Sequence, residues 1–331
     1  MTGTKRVLFV GGTGTISAAC VHRAVAAGHD VTVVNRGTAR RALPAGAHSA
    51  VADIRAPGSV REALRGQRFD VVADFLSYTP ADVASALDLF EDGLEQYLFI
   101  STASAYEKPP RRLPVSESTL LRNPFSPYAQ NKIACEDALL EAFRSRGLPV
   151  TVVRPSHTYD GQLAPTLGRW TDIARMRAGK PVIVPGDGTN PWTITHASDF
   201  AVAFTALLGN PAAIGEAFTV TGDHAPTWNR IYGWLAEAAG VPDAPLVHVA
   251  SDTIVAFEPS FGPTLLGDKS HPGLFDASKI RALAPEFRTT IGFDQGAREI
   301  VAHFDATPEL QIPDPQLDAL FDRIAAHAAV S

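Results

Sequence analysis

Tyr128 and Lys132 stand four residues apart in Tyr128-Ala129-Gln130-Asn131-Lys132, just inside a helix entrance marked by Ser126-Pro127. That interval sets the phenol and the ammonium on one helix face, a turn apart. A phenol with an ordinary pKa of about 10 is a poor base at neutral pH. A cation held beside it favours the phenolate and lowers that value. Such a pair can give or take the proton of an alcohol. The same spacing also occurs as a surface pair, so its meaning depends on the elements around it.

A second group of residues sets that context. Gly11-Gly12-Thr13-Gly14-Thr15-Ile16-Ser17 follows directly on the apolar run Arg6–Val10 and precedes a helical pattern. Glycines at a strand-to-helix turn let the backbone approach a phosphate, which then rests on the N–H groups and the positive end of the helix. The alternative is an ordinary strand-to-helix connection.

The elements that must carry both groups alternate through the first half. Strands are expected at Arg6–Val10, Asp30–Asn35, His48–Ala52, Asp70–Asp74, Tyr97–Ser101 and Pro149–Val153. Helices are expected at Ser17–Ala27, Ser59–Leu64, Pro80–Phe90 and Pro127–Ser145. Alternation of this kind predicts an α/β fold with a doubly wound parallel sheet. Lys108–Asn123 is polar and proline-rich, and reads as a loop at the ligand-binding end of the fifth strand.

After Arg154-Pro155 the rhythm changes. Helical stretches (Leu167–Ala178, Ser198–Leu208, Trp228–Ala239, Pro315–Ala328) mix with short strands (Val182–Val184, Thr193–Thr195, Ala217–Val220, Leu246–Val249). The division expected is a coenzyme-binding domain over residues 1–155 and a smaller α/β substrate lobe over 156–331, folded partly back onto the sheet.

Bulk properties narrow the function classes. In 331 residues, 45% hydrophobic and 19% charged, the net charge of −6 and the lack of a long basic run argue against a nucleic-acid surface. The cysteines Cys20 and Cys135 have no metal or redox spacing, and the ten histidines are scattered, so no metal site is expected. The first strand begins almost at once, leaving no room for a signal peptide, and no apolar run is long enough to span a membrane. A cytoplasmic setting is the expectation.

With these residues in view, the chain resembles the extended short-chain dehydrogenases/reductases of the NAD-dependent epimerase/dehydratase family. The resemblance is carried by the glycine turn, Ala52-Asp53-Ile54, Ile100–Tyr106, Tyr128/Lys132, Arg154-Pro155, and Gly186-Asp187-Gly188 leading to His196 and Asp199. It implies a Rossmann fold and a catalytic set of Thr102, Tyr128 and Lys132. Thr102 would position the substrate oxygen, with Ser104 as the fallback and as a substrate contact. Gly11, Gly14, Thr15, Ile16, Asn35, Arg36, Asp53, Ile54, Phe75, Leu76, Lys132 and Pro155 would hold the coenzyme. Asp53 would accept from the adenine amino group, or else be a turn residue. Tyr78, His157 and Trp192 are candidate substrate contacts. His157 has a satisfied structural role as its alternative, and Trp192 an interdomain core role. A homodimer through the Pro80–Phe90 and Pro127–Ser145 helices is also implied.

The chain departs from that pattern in three places. Ser17 replaces the third glycine of the turn, a tolerable change in a small side chain. Asn35-Arg36-Gly37 stands where an acid would hold the adenosine ribose of NAD. Arg36, with Arg40 and Arg41 close behind, suits a 2′-phosphate, so NADP is favoured and NAD remains possible. The arginines that clamp a diphosphate in nucleotide-sugar members are missing. Trp192 takes one of their places, and Phe261–Leu274 offers only Lys269 and His271.

The resulting expectation is an NAD(P)-dependent oxidoreductase or epimerase interconverting a secondary alcohol and a ketone on a small sugar-like substrate. One alternative is an NADPH-dependent reductase of a non-sugar carbonyl. Another is a non-catalytic nucleotide- or RNA-binding protein on the same fold, since some chloroplast relatives associate with RNA.

Overall fold

Val7, Leu8, Phe9 and Val10 have no exposed surface, as a strand covered on both faces requires. In the computed structural model, which describes residues 3–38 and 41–330, this strand lies inside a seven-stranded sheet.

The first half runs β1 (Arg6–Val10), α1 (Thr15–Ala26), β2 (Asp30–Asn35), β3 (Ala47–Val51), α2 (Pro57–Ala63), β4 (Val71–Asp74), α3 (Pro80–Phe90), β5 (Gln96–Ile100), α4 (Pro127–Arg146) and β6 (Val150–Pro155). The second half adds β7 (His157–Tyr159), α5 (Trp170–Arg177), β8 (Val182–Pro185), β9 (Ile194–His196), α6 (Ala197–Leu207), β10 (Ala217–Val220), α7 (Trp228–Ala238), β11 (Leu246–Val249), α8 (Ser251–Phe257) and α9 (Gly262–Thr264). A π-helical turn (Leu265–Lys269) follows, then α10 (Ser278–Leu283), α11 (Phe293–Ala306) and α12 (Pro315–Ala328).

The central sheet is a seven-stranded Rossmann sheet in the order β10-β6-β5-β4-β1-β2-β3, parallel throughout. The chain leaves β1 toward β2 and β3 on one side, and toward β4, β5, β6 and β10 on the other. The crevice at such a reversal is where doubly wound sheets bind ligands, and the glycine turn stands there.

Alternation along the strands builds two cores. On one face Val7, Phe9, Val31, Val33 and Leu98 pack against Cys20, Val21 and Ala24 of α1 and Phe200, Phe204 and Leu207 of α6. On the other, Leu8, Val10, Val72 and Phe99 meet Val83 and Leu87 of α3 and Cys135 and Leu139 of α4. A third core joins α5, α7, α11, Trp192 and Tyr159 beyond the sheet.

The strands β1, β2, β10 and β11 and the helices α3 and α12 have the bounds read from the sequence, and the other expected elements differ by a few residues at their ends. The helix α11 was not anticipated, because Gly296 interrupts its pattern. That glycine is required: a Cβ there would lie 2.2 Å from the ring of Tyr159. The short strand β7, paired in parallel with β9, and the segment 251–269 were also not expected as ordered elements. Among the described residues no helix is long and apolar enough to cross a membrane.

Candidate active site

A cleft of about 830 Å³ opens over the carboxyl ends of β1, β2, β4, β5 and β6. All the site residues singled out above line it, from Gly11 and Asp53 at one end to Tyr128, His157 and Trp192 at the other. Their placement follows from local chemistry at each strand end.

Gly11 has φ +78°, and a Cβ there would meet Leu76 at 2.8 Å. At Gly12 a Cβ would lie 2.6 Å from Val33. Bare backbone is therefore needed on steric grounds alone, and it leaves the cradle a dinucleotide phosphate requires. Ser17, in the third glycine's place, is buried, and its hydroxyl accepts from Gly14 N at 2.9 Å. The first N–H groups of α1, on Thr15 and Ile16, have no partner within the helix, and both residues line the cleft. Across the turn, buried Asp74 accepts from Leu76 N and Ser77 N at 2.9 and 3.0 Å, fixing the Phe75-Leu76-Ser77 corner.

At the adenosine end Asn35 shapes its own turn, accepting from Gly37 N at 2.8 Å. The exposed Arg36 makes no side-chain hydrogen bond or ion pair among the described residues. Asp53 is a turn former as well as a lining residue, since one carboxylate oxygen accepts from Arg55 N at 3.0 Å. Arg55, not foreseen, also lines the cleft. Arg41 is already engaged: it pairs with Asp160 at 2.7 Å and donates to Gly14 O at 3.0 Å and Gln162 Oε1 at 2.8 Å. Arg40 lies outside the described residues.

The reactive end is built on α4 and the loop after β5. Ser126 caps α4, accepting from Ala129 N at 3.2 Å, and Pro127 occupies the first turn. Further along the same face Glu136 pairs with Arg154 and accepts from Ser101, pinning the helix to β5 and β6. Thr102 Oγ1 accepts from Ser104 N at 3.1 Å, which leaves its own hydrogen free. The Thr102 hydroxyl acts on the Tyr128 phenol in the direction that favours the phenolate.

Stronger influences act the other way. Tyr128 is 44% exposed, and burial of the remainder, with Tyr78 and Asp268 nearby, pushes its phenol up to about 12. The lowering expected from Lys132 is absent because that ammonium is turned elsewhere. It donates to Ser77 O and Ile100 O, both at 2.7 Å, and lies over the rings of Phe99 (4.6 Å) and Tyr78 (4.8 Å). Burial brings Lys132 down to about 8. Two of its three donors are taken, and one remains for a ligand.

Beyond Tyr128, the rings of Tyr78 and Tyr128 lie 6.2 Å apart. His157 makes no side-chain hydrogen bond among the described residues, and burial, helped by Lys269, pushes its imidazole well below its ordinary pKa. A neutral ring at the cleft wall is the result. Trp192 is only 2% exposed, packed on Trp228 at 5.4 Å and on Gly273, where a Cβ would come within 2.8 Å. Most of its surface is thus spent on the core.

At the reactive end, too, the cleft has lining residues that the sequence does not signal. Phe275 and Asp268 come from the segment that roofs this end of the cleft. Asp268 accepts from Ser104 Oγ at 3.2 Å and pairs with buried Lys108 at 3.3 Å. The family pattern calls for a cation in Phe261–Leu274, and nothing around its one carboxylate, Asp268, signals a site in the sequence.

The model of the NAD dependent epimerase/dehydratase family matches residues 7–221. The chain belongs to that family. It is therefore an enzyme of the extended short-chain dehydrogenase/reductase type, in which epimerases, dehydratases and reductases share one Rossmann frame. It is 28% identical over 292 residues to 2′-dehydrokanamycin reductase of Streptomyces kanamyceticus, covering 86% of this chain and 80% of that one. It is 29% identical over 257 residues to the chloroplast stem-loop binding protein of 41 kDa b of Arabidopsis thaliana, covering 74% and 66%. Among solved structures, dTDP-glucose 4,6-dehydratase of Bacillus anthracis in complex with NAD superimposes with a TM-score of 0.74 at 18% identity, over 92% of this chain and 98% of that one.

Proposed function

We propose that the protein is an NADP-dependent reductase of a ketone on a small sugar-like ring, with Tyr128 as the proton donor. The observation that carries this reading is the convergence of Thr102, Tyr128 and Lys132 on the cleft that ends at the glycine turn.

The residues present fit a nicotinamide dinucleotide. Gly11, Gly12 and Gly14, with the N–H groups of Thr15 and Ile16, would take the diphosphate, and Asp53 and Ile54 would flank the adenine. Phe75, Leu76 and Pro155 would line the middle, and the free donor of Lys132 would reach the ribose. Asn35 and Arg36, with Arg55 in reach, would receive a 2′-phosphate. When bound, the coenzyme supplies the hydride. Thr102 holds the substrate oxygen beside the phenol, and Tyr128 delivers the proton to that oxygen. A phenol held at about 12 is protonated at neutral pH, which suits reduction better than oxidation. The reductase named above, similar over 86% of this chain, supports the same direction.

Net epimerisation uses the same groups and is the second reading, favoured by the epimerases among relatives, such as UDP-glucose 4-epimerase of Lactobacillus helveticus. Stem-loop binding is the property named for the chloroplast relative. The intact Thr102, Tyr128 and Lys132 set favours turnover in this chain. Residues 1–155 would form the coenzyme domain and 156–331 the substrate lobe, in a cytoplasmic homodimer paired through α3 and α4. A size-exclusion mass of one chain would refute that pairing.

Coenzyme fluorescence with NADPH and NADH tests the proposal. NADPH is expected to bind more tightly, and Tyr128→Phe to abolish turnover while leaving that binding intact. A protein that binds neither coenzyme overturns the reading.

A further inference from the structure

We propose that Asp268 sets substrate choice by receiving a protonated amino group on the substrate ring, so that the site takes an amino-substituted sugar-like compound instead of a nucleoside diphosphate sugar. The inference rests on the reading of the cleft given above and names the substrate class for it.

Asp268 sits on the π-helical turn Leu265–Lys269, in the roof of the reactive end. One hydrogen bond joins its carboxylate to Ser104 Oγ, and Ser104 N in turn bonds the Thr102 hydroxyl. The carboxylate is therefore joined through Ser104, by two hydrogen bonds, to the Thr102 hydroxyl that would hold the substrate oxygen. An ionised carboxylate offers about four acceptor sites. Ser104 and Lys108 occupy one on each oxygen, and the 23% of the side chain left exposed faces the cleft it lines.

The cation that balances it is hidden from the ligand. Lys108 is 3% exposed and does not line the cleft. Lys269 is also buried, behind Trp192 (5.3 Å) and Trp228 (4.6 Å), and donates to Pro165 O. What the reactive end presents is the Asp268 carboxylate and the one remaining donor of Lys132 among the aromatic rings of Tyr78, Tyr128 and Phe275. The arginines lining the cleft among the described residues are Arg36 and Arg55, at the other end beside Asn35 and Asp53. Aromatic faces and a carboxylate attract an ammonium. A diphosphate needs guanidinium forks and would be set against a negative charge.

The carboxylate is also held in place. Asn123 Nδ2 donates to Ser104 O at 2.8 Å and to Gly267 O at 2.7 Å, stitching the loop after β5 to the turn that carries Asp268. Asn190 ties Ser270 O from the other side at 2.8 Å. A donor group on the substrate meets an acceptor already oriented, at little entropic cost.

Titration calorimetry with the NADP⁺-loaded protein tests this, using glucosamine, N-acetylglucosamine and UDP-glucose as probes. Wild type is expected to bind glucosamine at least tenfold more tightly than N-acetylglucosamine, in which the charge is gone. Asp268→Asn is expected to erase that preference while leaving the NADP⁺ affinity within twofold. Because this change strands the Lys108 ammonium, the double variant D268N/K108M is measured beside it and is expected to behave alike. Tighter binding of UDP-glucose than of glucosamine, equal binding of the two amino-sugar forms, or an undiminished preference in both variants overturns the inference. Loss of NADP⁺ binding by wild type would instead overturn the reading of the cleft itself.

Discussion

Arg41, from the connection between β2 and β3, is ion-paired with Asp160, just past β7, at 2.7 Å, and its guanidinium also donates to Gly14 O at 3.0 Å. The pair ties the β2–β3 connection to the segment after β7 and to the glycine turn, the backbone on which the proposed coenzyme would rest. Arg41→Ala and Asp160→Asn are each expected to raise the dissociation rate of bound coenzyme about tenfold with little change in the chemical step. Stopped-flow displacement of NADPH measures this, and unchanged dissociation in both variants would dismiss the bridge as incidental.

Under the proposed mechanism, Tyr128→Phe removes the proton donor of the reactive end and keeps the ring. A kcat lower by about 10²–10⁴ is expected, with coenzyme affinity retained. Thr102→Val is expected to cost kcat more than KM, because the hydroxyl acts on the reacting oxygen. Steady-state kinetics beside coenzyme titrations separate the two effects, and a Tyr128→Phe variant of wild-type rate would remove the phenol from the mechanism.

On the proposed reading coenzyme choice hinges on Arg36, whose side chain has no hydrogen bond or ion pair among the described residues. Arg36→Glu is expected to weaken NADPH about tenfold or more and to leave NADH nearly unchanged, since only the former carries the extra phosphate. Equal loss for both coenzymes would mean that Arg36 packs on the adenine without discriminating.

Burial sets the pH behaviour. Lys132 at about 8 is charged at neutral pH and loses its proton above pH 8, whereas Tyr128 at about 12 keeps its own throughout. The kcat/KM for reduction is therefore expected to be level from pH 6 to about 7.5 and to fall above about pH 8. A profile flat to pH 10 would show that the charge on Lys132 is not used.

The same groups predict a stability profile. Lys132 and Lys269 sit at about 8 in the folded chain, against about 10.4 when unfolded. Between those values the unfolded state binds more protons, so these two groups make stability rise as pH climbs through that window. Tyr128, raised from about 10 to about 12, has the opposite effect above pH 10, where the unfolded chain sheds its proton first. Thermal melts from pH 7 to 11 check both slopes, and Lys269→Met should flatten the rise.

Much of the coenzyme side could be read from the letters because its signals are local. A strand, a glycine turn and a capped helix each occupy consecutive residues, and Gly11, Ser126 and Pro127 do in the structure what their types suggest. The substrate side was less legible. Asp268 reaches Ser104 across 164 residues, and nothing in Leu265–Lys269 carries a helical or strand period. The spacing and its place in the sheet predict Lys132 as the partner of Tyr128, yet the carbonyls of Ser77, in the loop after β4, and of Ile100, at the end of β5, claim it. The sequence sets Arg41 close behind Arg36, whereas in the fold Asp160 and Gly14 O hold its guanidinium.

The strand β10 and the helix α6 come late in the chain, yet one forms the outermost rung of the central sheet and the other supplies Phe200, Phe204 and Leu207 to the core beneath β1. Exchanging substrate lobes between relatives by splicing after β6 would therefore strip the coenzyme half of an edge and of part of its interior. A chimaera that keeps α6 and β10 with their native sheet, and swaps only the roof and the segments beyond it, is the graft this architecture tolerates.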